Sequence, residues 1–137
     1  MVEIGVVSIL FLLSLAANAL ITKWSAKKVL GLEVSLVRSG LIVAGRSFAA
    51  LLAGFAVGYA IRLGLQGDVA HKAVQLAGMA VVALLSFFAY WALLGKMTNA
   101  SISFWGMTKT VATETVMLLV AAFGIAIVLS FIFYTFQ

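Results

Sequence analysis

Residues 116–135 read VMLLVAAFGIAIVLSFIFYT, a run that contains no Asp, Glu, Lys, Arg or His. The hydrocarbon layer of a bilayer is crossed by about 20 residues of α-helix, because each residue advances about 1.5 Å along the axis. Lipid offers no hydrogen-bond partner to the backbone, so a run of this length must satisfy its own N–H and C=O groups. The alternation of apolar and polar residues that is typical of barrel strands is missing. We therefore predict a membrane-spanning helix here.

Three earlier runs have a similar length and character: residues 4–22, 40–61 and 73–94. The first contains Ala-Asn-Ala at residues 17–19, which resembles a signal-peptide cleavage site. No Lys or Arg precedes it, so we expect a retained span rather than a cleaved peptide. The pattern predicts an all-α fold, an integral membrane four-helix bundle that forms a single transmembrane domain over residues 1–137.

Composition supports a bilayer as the solvent and excludes several classes of function. Hydrophobic residues make up 65% of the chain and charged residues 9%, with a mean hydropathy of +1.23, whereas soluble domains have about 25% charged residues. The net charge is +5, but the nine basic residues are dispersed, so we expect no nucleic-acid partner. Without cysteine, and with one histidine, the chain offers no thiolate metal site and no pair of histidines for haem. No catalytic set, metal site or cofactor site is evident, and we expect no enzymatic activity.

The basic residues favour one side of the membrane. Only Arg62 and Lys72 lie between the second and third runs, and neither terminus carries a basic side chain. The positive-inside rule therefore predicts cytoplasmic linkers and both termini outside, in a plasma membrane such as a bacterial inner membrane. The six basic residues of the other two linkers are Lys23, Lys27, Lys28, Arg38, Lys96 and Lys109.

The chain is organised as two similar hairpins, each with two spans joined by a longer linker. In the first linker, residues 23–38, apolar side chains recur at helical spacing among charged ones. This pattern fits an interfacial helix that lies in the headgroup layer, and it fits equally an extension of the second span beyond the membrane.

Small residues recur every fourth position on two of the predicted spans. In lipid, helices associate through close contact between such faces and through interhelical hydrogen bonds, for which a polar residue in the first span is suited. These faces can pack inside one monomer or between subunits, and we expect the glycine face of the second span to pack inside the monomer. The predicted helix-packing residues are Asn18, Ala50, Gly54, Gly58, Ala122, Ala126 and Ser130.

Arg46 is the main candidate for a functional residue, because it lies about one and a half turns into the run 40–61, where an unpaired charge is costly. Glu114 is its natural partner, and Lys109 and Gln75 complete a candidate polar or ionic cluster. The cluster could serve an ion or substrate path, or dock another subunit. Alternatively, Arg46 reaches headgroup phosphate or Glu114 as a purely structural contact.

These features predict a non-catalytic polytopic membrane protein, a structural, assembly or accessory subunit of a larger membrane complex. Its expected partners are the lipid bilayer and either other membrane subunits or further copies of itself. A small oligomeric channel or transporter is the alternative, although the other three spans contain no charged residue that could relay a proton or an ion.

Overall fold

The computed structural model describes residues 2–64 and 68–135. These residues form four helices and, within those ranges, no strand. Each helix is long and apolar enough to cross a membrane, which confirms the predicted all-helical, multi-pass architecture. The helices are α1 (Val2–Leu30), α2 (Leu36–Gly64), α3 (Asp68–Thr98) and α4 (Phe104–Thr135).

Within the predicted first linker, residues 23–30 continue α1, residues 31–35 are non-helical and residues 36–38 begin α2. Helix α1 ends where Gly31 adopts a left-handed φ of +67°, a conformation that glycine tolerates best. The Gly31 N–H then donates to the carbonyl oxygen of Lys27, at 3.1 Å. Ser35 starts the next helix, because its hydroxyl accepts a hydrogen bond from the Arg38 N–H at 3.3 Å.

Helix α1 packs against α2 and α4, and α2 also packs against α3. Helices α3 and α4 meet through Phe87 and Phe104, whose ring centres are 5.8 Å apart. Close approaches show that α2 and α3 are antiparallel. A Cβ on Gly45 would lie 2.6 Å from the Leu93 side chain, and one on Gly78 would overlap Val57. Small residues at these two points allow the helix backbones to come close.

The buried core lies at one end of the bundle, which we call the linker end because it carries residues 31–35 and 99–103. Away from it, residues 4–14 of α1 and 119–135 of α4 are exposed throughout. The described chain is therefore well packed at the linker end and open at the other. The core consists of Ala26, Val34, Ile42, Tyr90, Leu94, Ile102 and Met107.

Candidate functional site

An ion pair between Arg46 and Glu114 lies inside the linker end. The Arg46 Nη1 atom is 2.7 Å from the Glu114 Oε2 atom, and the two side chains are 18% and 3% exposed. Tyr90 donates its hydroxyl to the other carboxylate oxygen, Oε1. The Arg46 guanidinium carbon also lies 4.8 Å from the centre of the Tyr90 ring, within the range of a cation–π interaction. We call these three residues the ionic cluster; they join α2, α3 and α4.

Helical periodicity explains why these side chains meet. Glu114 belongs to a buried row on α4 with Met107 and Thr110, at the three- and four-residue spacing that places side chains on one face. On α3, Tyr90 and Leu94 share a buried face in the same way. The apolar residues of these rows pack in the core, so the polar residues at the next turn are carried into it.

Three further hydroxyls are buried around the linker end. In the part of the chain that the structure describes, Thr22, Ser25 and Ser39 are fully buried, and their side-chain oxygens have no hydrogen-bond partner. Thr22 lies beside the Tyr90 hydroxyl but outside hydrogen-bond geometry. By contrast, Thr110 donates to the Gly106 carbonyl oxygen of its own helix, at 2.9 Å. An unpaired buried hydroxyl costs about 1–3 kcal/mol.

The cluster links α2, α3 and α4 through hydrogen bonds between charged and polar side chains. Both oxygens of Glu114 are engaged, since Oε2 accepts a hydrogen bond from Arg46 and Oε1 accepts one from Tyr90. Charge-assisted hydrogen bonds of this kind are stronger than neutral ones, and they gain further strength away from water. The arrangement therefore holds three helices in a fixed relation.

Only half of the predicted cluster is brought together. Lys109 is exposed and lies 5.9 Å from the centre of the Trp105 ring, outside the ionic cluster. Gln75 is exposed on α3, about 22 Å along the helix from Tyr90, given a rise of about 1.5 Å per residue. Their inclusion in one site with Arg46 is not what the structure shows.

The predicted packing faces are also placed differently. A Cβ on Gly54 or Gly58 would meet nothing within 4 Å, so this face does not pack inside the monomer as expected. The Asn18 amide donates to the Ser14 carbonyl oxygen of its own helix, at 2.9 Å, instead of bridging to a neighbour. On α4, the side chains of Ala122, Ala126 and Ser130 are exposed.

Tyr90 was not among the predicted site residues, although its position in an apolar run indicates a buried hydroxyl. A phenol within an apolar run requires a hydrogen-bond partner when it is buried. Tyr90 is 1% exposed, in contrast to Tyr59 at 67%. The run 73–94 thus carried a polar group that was already a candidate partner for Glu114.

Among the described residues, no group of three or more His, Asp or Glu side chains is placed to hold a metal ion. Comparison of the chain with protein families, curated proteins and solved structures gave no match. The fold and the site define a multi-pass helical membrane protein whose helices are held together at one end by a buried ionic cluster.

Proposed function

We propose that this chain is a non-catalytic integral subunit that assembles with other membrane subunits through its open helix faces. The observation that carries the proposal is the open face of Ala50, Gly54 and Gly58 on α2. Small residues of this kind let a neighbouring helix approach closely, yet no helix of the described chain occupies the space over Gly54 and Gly58.

The ionic cluster supports this proposal, because it pairs the buried charges of Arg46 and Glu114 within the chain. Arg46, Tyr90 and Glu114 satisfy one another, so this buried ion pair needs no partner from outside the chain. The open halves of α1 and α4 make few contacts within the chain and face lipid. Helices that pack together at the linker end and leave exposed faces elsewhere suit a subunit that binds other membrane subunits.

The groove between α2 and α3 is where we place a partner helix. It is a cleft of about 490 Å³, mostly apolar, with Gly54 and Gly58 on one wall. Gln75 and Ser86 on the other wall offer polar groups to a partner. Interhelical hydrogen bonds in membranes contribute about 0.6–2 kcal/mol each, which adds specificity to close packing.

We place the linker end in the cytoplasm and both termini outside. Six of the nine basic residues lie within residues 23–38 and 96–109, which include the two non-helical segments at that end and the helix ends beside them. The positive-inside rule retains such regions in the cytoplasm. In this orientation Gly58 and Gln75 of the groove lie toward the outer leaflet, where we place the partner helix.

The test is assembly in native membranes extracted into lipid nanodiscs. A photo-crosslinking residue at Phe55, beside the open face, should yield a crosslinked product of one defined composition. Gly58→Leu should abolish that product, because a large side chain prevents close approach.

Gly124→Leu is the matched control. Gly124 is equally open and lies at a similar distance from the ionic cluster along its own helix. This variant should leave the crosslink intact. A lone monomer with no defined crosslink, or equal loss in both variants, would contradict the proposal.

Self-association into a small channel or transporter is a second candidate. It is favoured by the combination of a buried carboxylate, Glu114, with the unpaired hydroxyls of Thr22 and Ser39 at one end of apolar helices. Such polar interiors in membranes are associated with ion and proton paths. Ion flux in reconstituted vesicles that falls in Arg46→Ala, Glu114→Gln and Gln75→Leu would support it, and flux unchanged by all three would exclude it.

A further inference from the structure

A basic cleft opens at the linker end, between the end of α1 and the start of α2. Its volume is about 430 Å³. Three of the side chains that line it are basic and one is acidic, so at neutral pH the cleft carries a net charge of three minus one, or +2. The lining residues are Lys23, Lys27, Glu33, Val34, Ser35 and Arg38.

The acidic residue is engaged by a lysine of the same cleft. The Lys27 Nζ atom lies 2.9 Å from the Glu33 Oε1 atom, and the two side chains are 66% and 81% exposed. The hydrogen bond from Lys27 and its charge, with a smaller effect of Lys23, hold the pKa of Glu33 below its ordinary value. Exposed ion pairs contribute little to stability, so Lys27 can exchange this partner for another anion at small cost.

Two other features favour an anion in the cleft. The Arg38 Nη1 atom donates to the Met97 carbonyl oxygen at 3.2 Å, which orients the guanidinium while its other N–H groups stay available. Ser35 caps the start of α2, and the first turn of that helix contains no acidic residue. The partial positive charge of a helix N-terminus adds to the basic side chains.

An apolar groove adjoins the basic cleft. It measures about 420 Å³ and is lined by Leu20, Ile21 and Trp24 of α1 and by Met117 of α4. Lys23 and Lys27 also line it, so the two recesses meet at this pair of lysines. A ligand with a charged head and an apolar tail matches both recesses at once.

We propose that the linker end binds an anionic phospholipid, whose phosphate lies among Lys23, Lys27 and Arg38 and whose acyl chain follows the groove beside Met117. An anionic phospholipid and free phosphate both present a phosphate group to these basic side chains. The apolar groove selects a lipid over free phosphate, since inorganic phosphate would leave it unfilled. Basic clusters near a membrane surface contribute about 1 kcal/mol per residue to anionic lipid binding.

The experiment compares how strongly spin-labelled phosphatidylglycerol and spin-labelled phosphatidylcholine bind to the protein surface in phosphatidylcholine vesicles. The wild type should prefer phosphatidylglycerol about tenfold. The double variant Lys23→Gln/Arg38→Gln should lose most of that preference, given about fivefold per basic residue. The matched control, Lys96→Gln/Lys109→Gln, removes the same charge from exposed positions outside the cleft and should keep the preference.

Glu33→Gln should change the preference for phosphatidylglycerol in the opposite direction. It removes the negative charge of the cleft and releases Lys27, so the preference for phosphatidylglycerol should rise. A variant that was merely misfolded would not bind more tightly.

Three outcomes would overturn the proposal. The first is a wild type without preference. The second is equal loss in the control, which would show diffuse surface charge. The third is displacement of the labelled lipid by excess inorganic phosphate at constant ionic strength, which would show a free-phosphate site.

Discussion

The ion pair between Arg46 and Glu114 lowers the free-energy cost of burying either charge in an apolar interior. A charge buried without a partner is expensive, whereas a paired and hydrogen-bonded charge is accommodated. Tyr90 completes the arrangement by occupying the second carboxylate oxygen. Each of the three side chains thus depends on the others, and the loss of one leaves polar atoms unpaired.

The first prediction concerns Glu114→Gln, which should lower the free energy of unfolding by about 3–5 kcal/mol, because Arg46 is left buried without a counter-charge. The double variant Arg46→Met/Glu114→Met should be less destabilised than Glu114→Gln. Reversible unfolding in bicelles measures both. Glu33→Gln is the control, since it breaks an exposed pair and should leave the free energy of unfolding nearly unchanged. Equal costs for Glu114→Gln and Glu33→Gln would contradict the inferred role of burial.

The second prediction is that Tyr90→Phe costs about 1–3 kcal/mol of unfolding free energy, since it leaves one carboxylate oxygen without its donor. The same change at the exposed Tyr59 should cost almost nothing. In a double-mutant cycle, Tyr90→Phe and Glu114→Gln should be non-additive. Additive effects would mean that the hydroxyl stabilises the protein by some other contact.

Residue chemistry explains which site residues could be predicted. Arg46 and Glu114 were identifiable because opposite charges near the same end of apolar helices have strong reason to pair. Lys109 was not separable from them by sequence alone, because it is near Glu114 in sequence but lies on the exposed side of α4. The rotation of each helix about its axis decides this, and a nearly uniform apolar helix gives little indication of its rotation.

The sequence likewise does not show which glycines of a helix pack against a neighbouring helix. Gly45 and Gly78 lie at close approaches between α2 and α3, whereas Gly54 and Gly58 face open space. One four-residue row of small residues runs through Gly54 and Gly58, and a parallel row runs through Gly45, Ala49 and Ala53. The spacing alone did not show which row packs within the chain. A repeat of small residues shows that a face is suited to packing, but it does not show what packs there.

The third prediction separates these two roles. Gly78→Leu should destabilise the monomer, because the new side chain would overlap Val57 on α2. Gly58→Leu should leave the monomer as stable as the wild type while it prevents assembly. Unfolding in bicelles together with the crosslinking yield measures both effects. A stable monomer in Gly78→Leu would show that α2 and α3 are not closely packed at this point.

Over the whole molecule, four spans could be predicted from length and hydropathy, because lipid dictates both. Which helices lie next to one another could not be predicted. In lipid there is no general hydrophobic drive that favours one helix neighbour over another, so the arrangement depends on particular contacts such as the ionic cluster. Both linkers lie at the end where those contacts are made, and the orientation of that end decides the orientation of the protein.

The fourth prediction is that orientation. Because six of the nine basic residues lie within residues 23–38 and 96–109, at the linker end, that end should remain in the cytoplasm. Ser101→Cys should therefore resist a membrane-impermeant maleimide in intact cells and react after permeabilisation. Leu63→Cys, near the opposite end of α2 and 71% exposed, should react in intact cells. The reverse pattern would place the basic cleft outside the cytoplasm, where the positive-inside rule does not account for its charge. It would leave the proposed lipid site intact but assign it to the other leaflet.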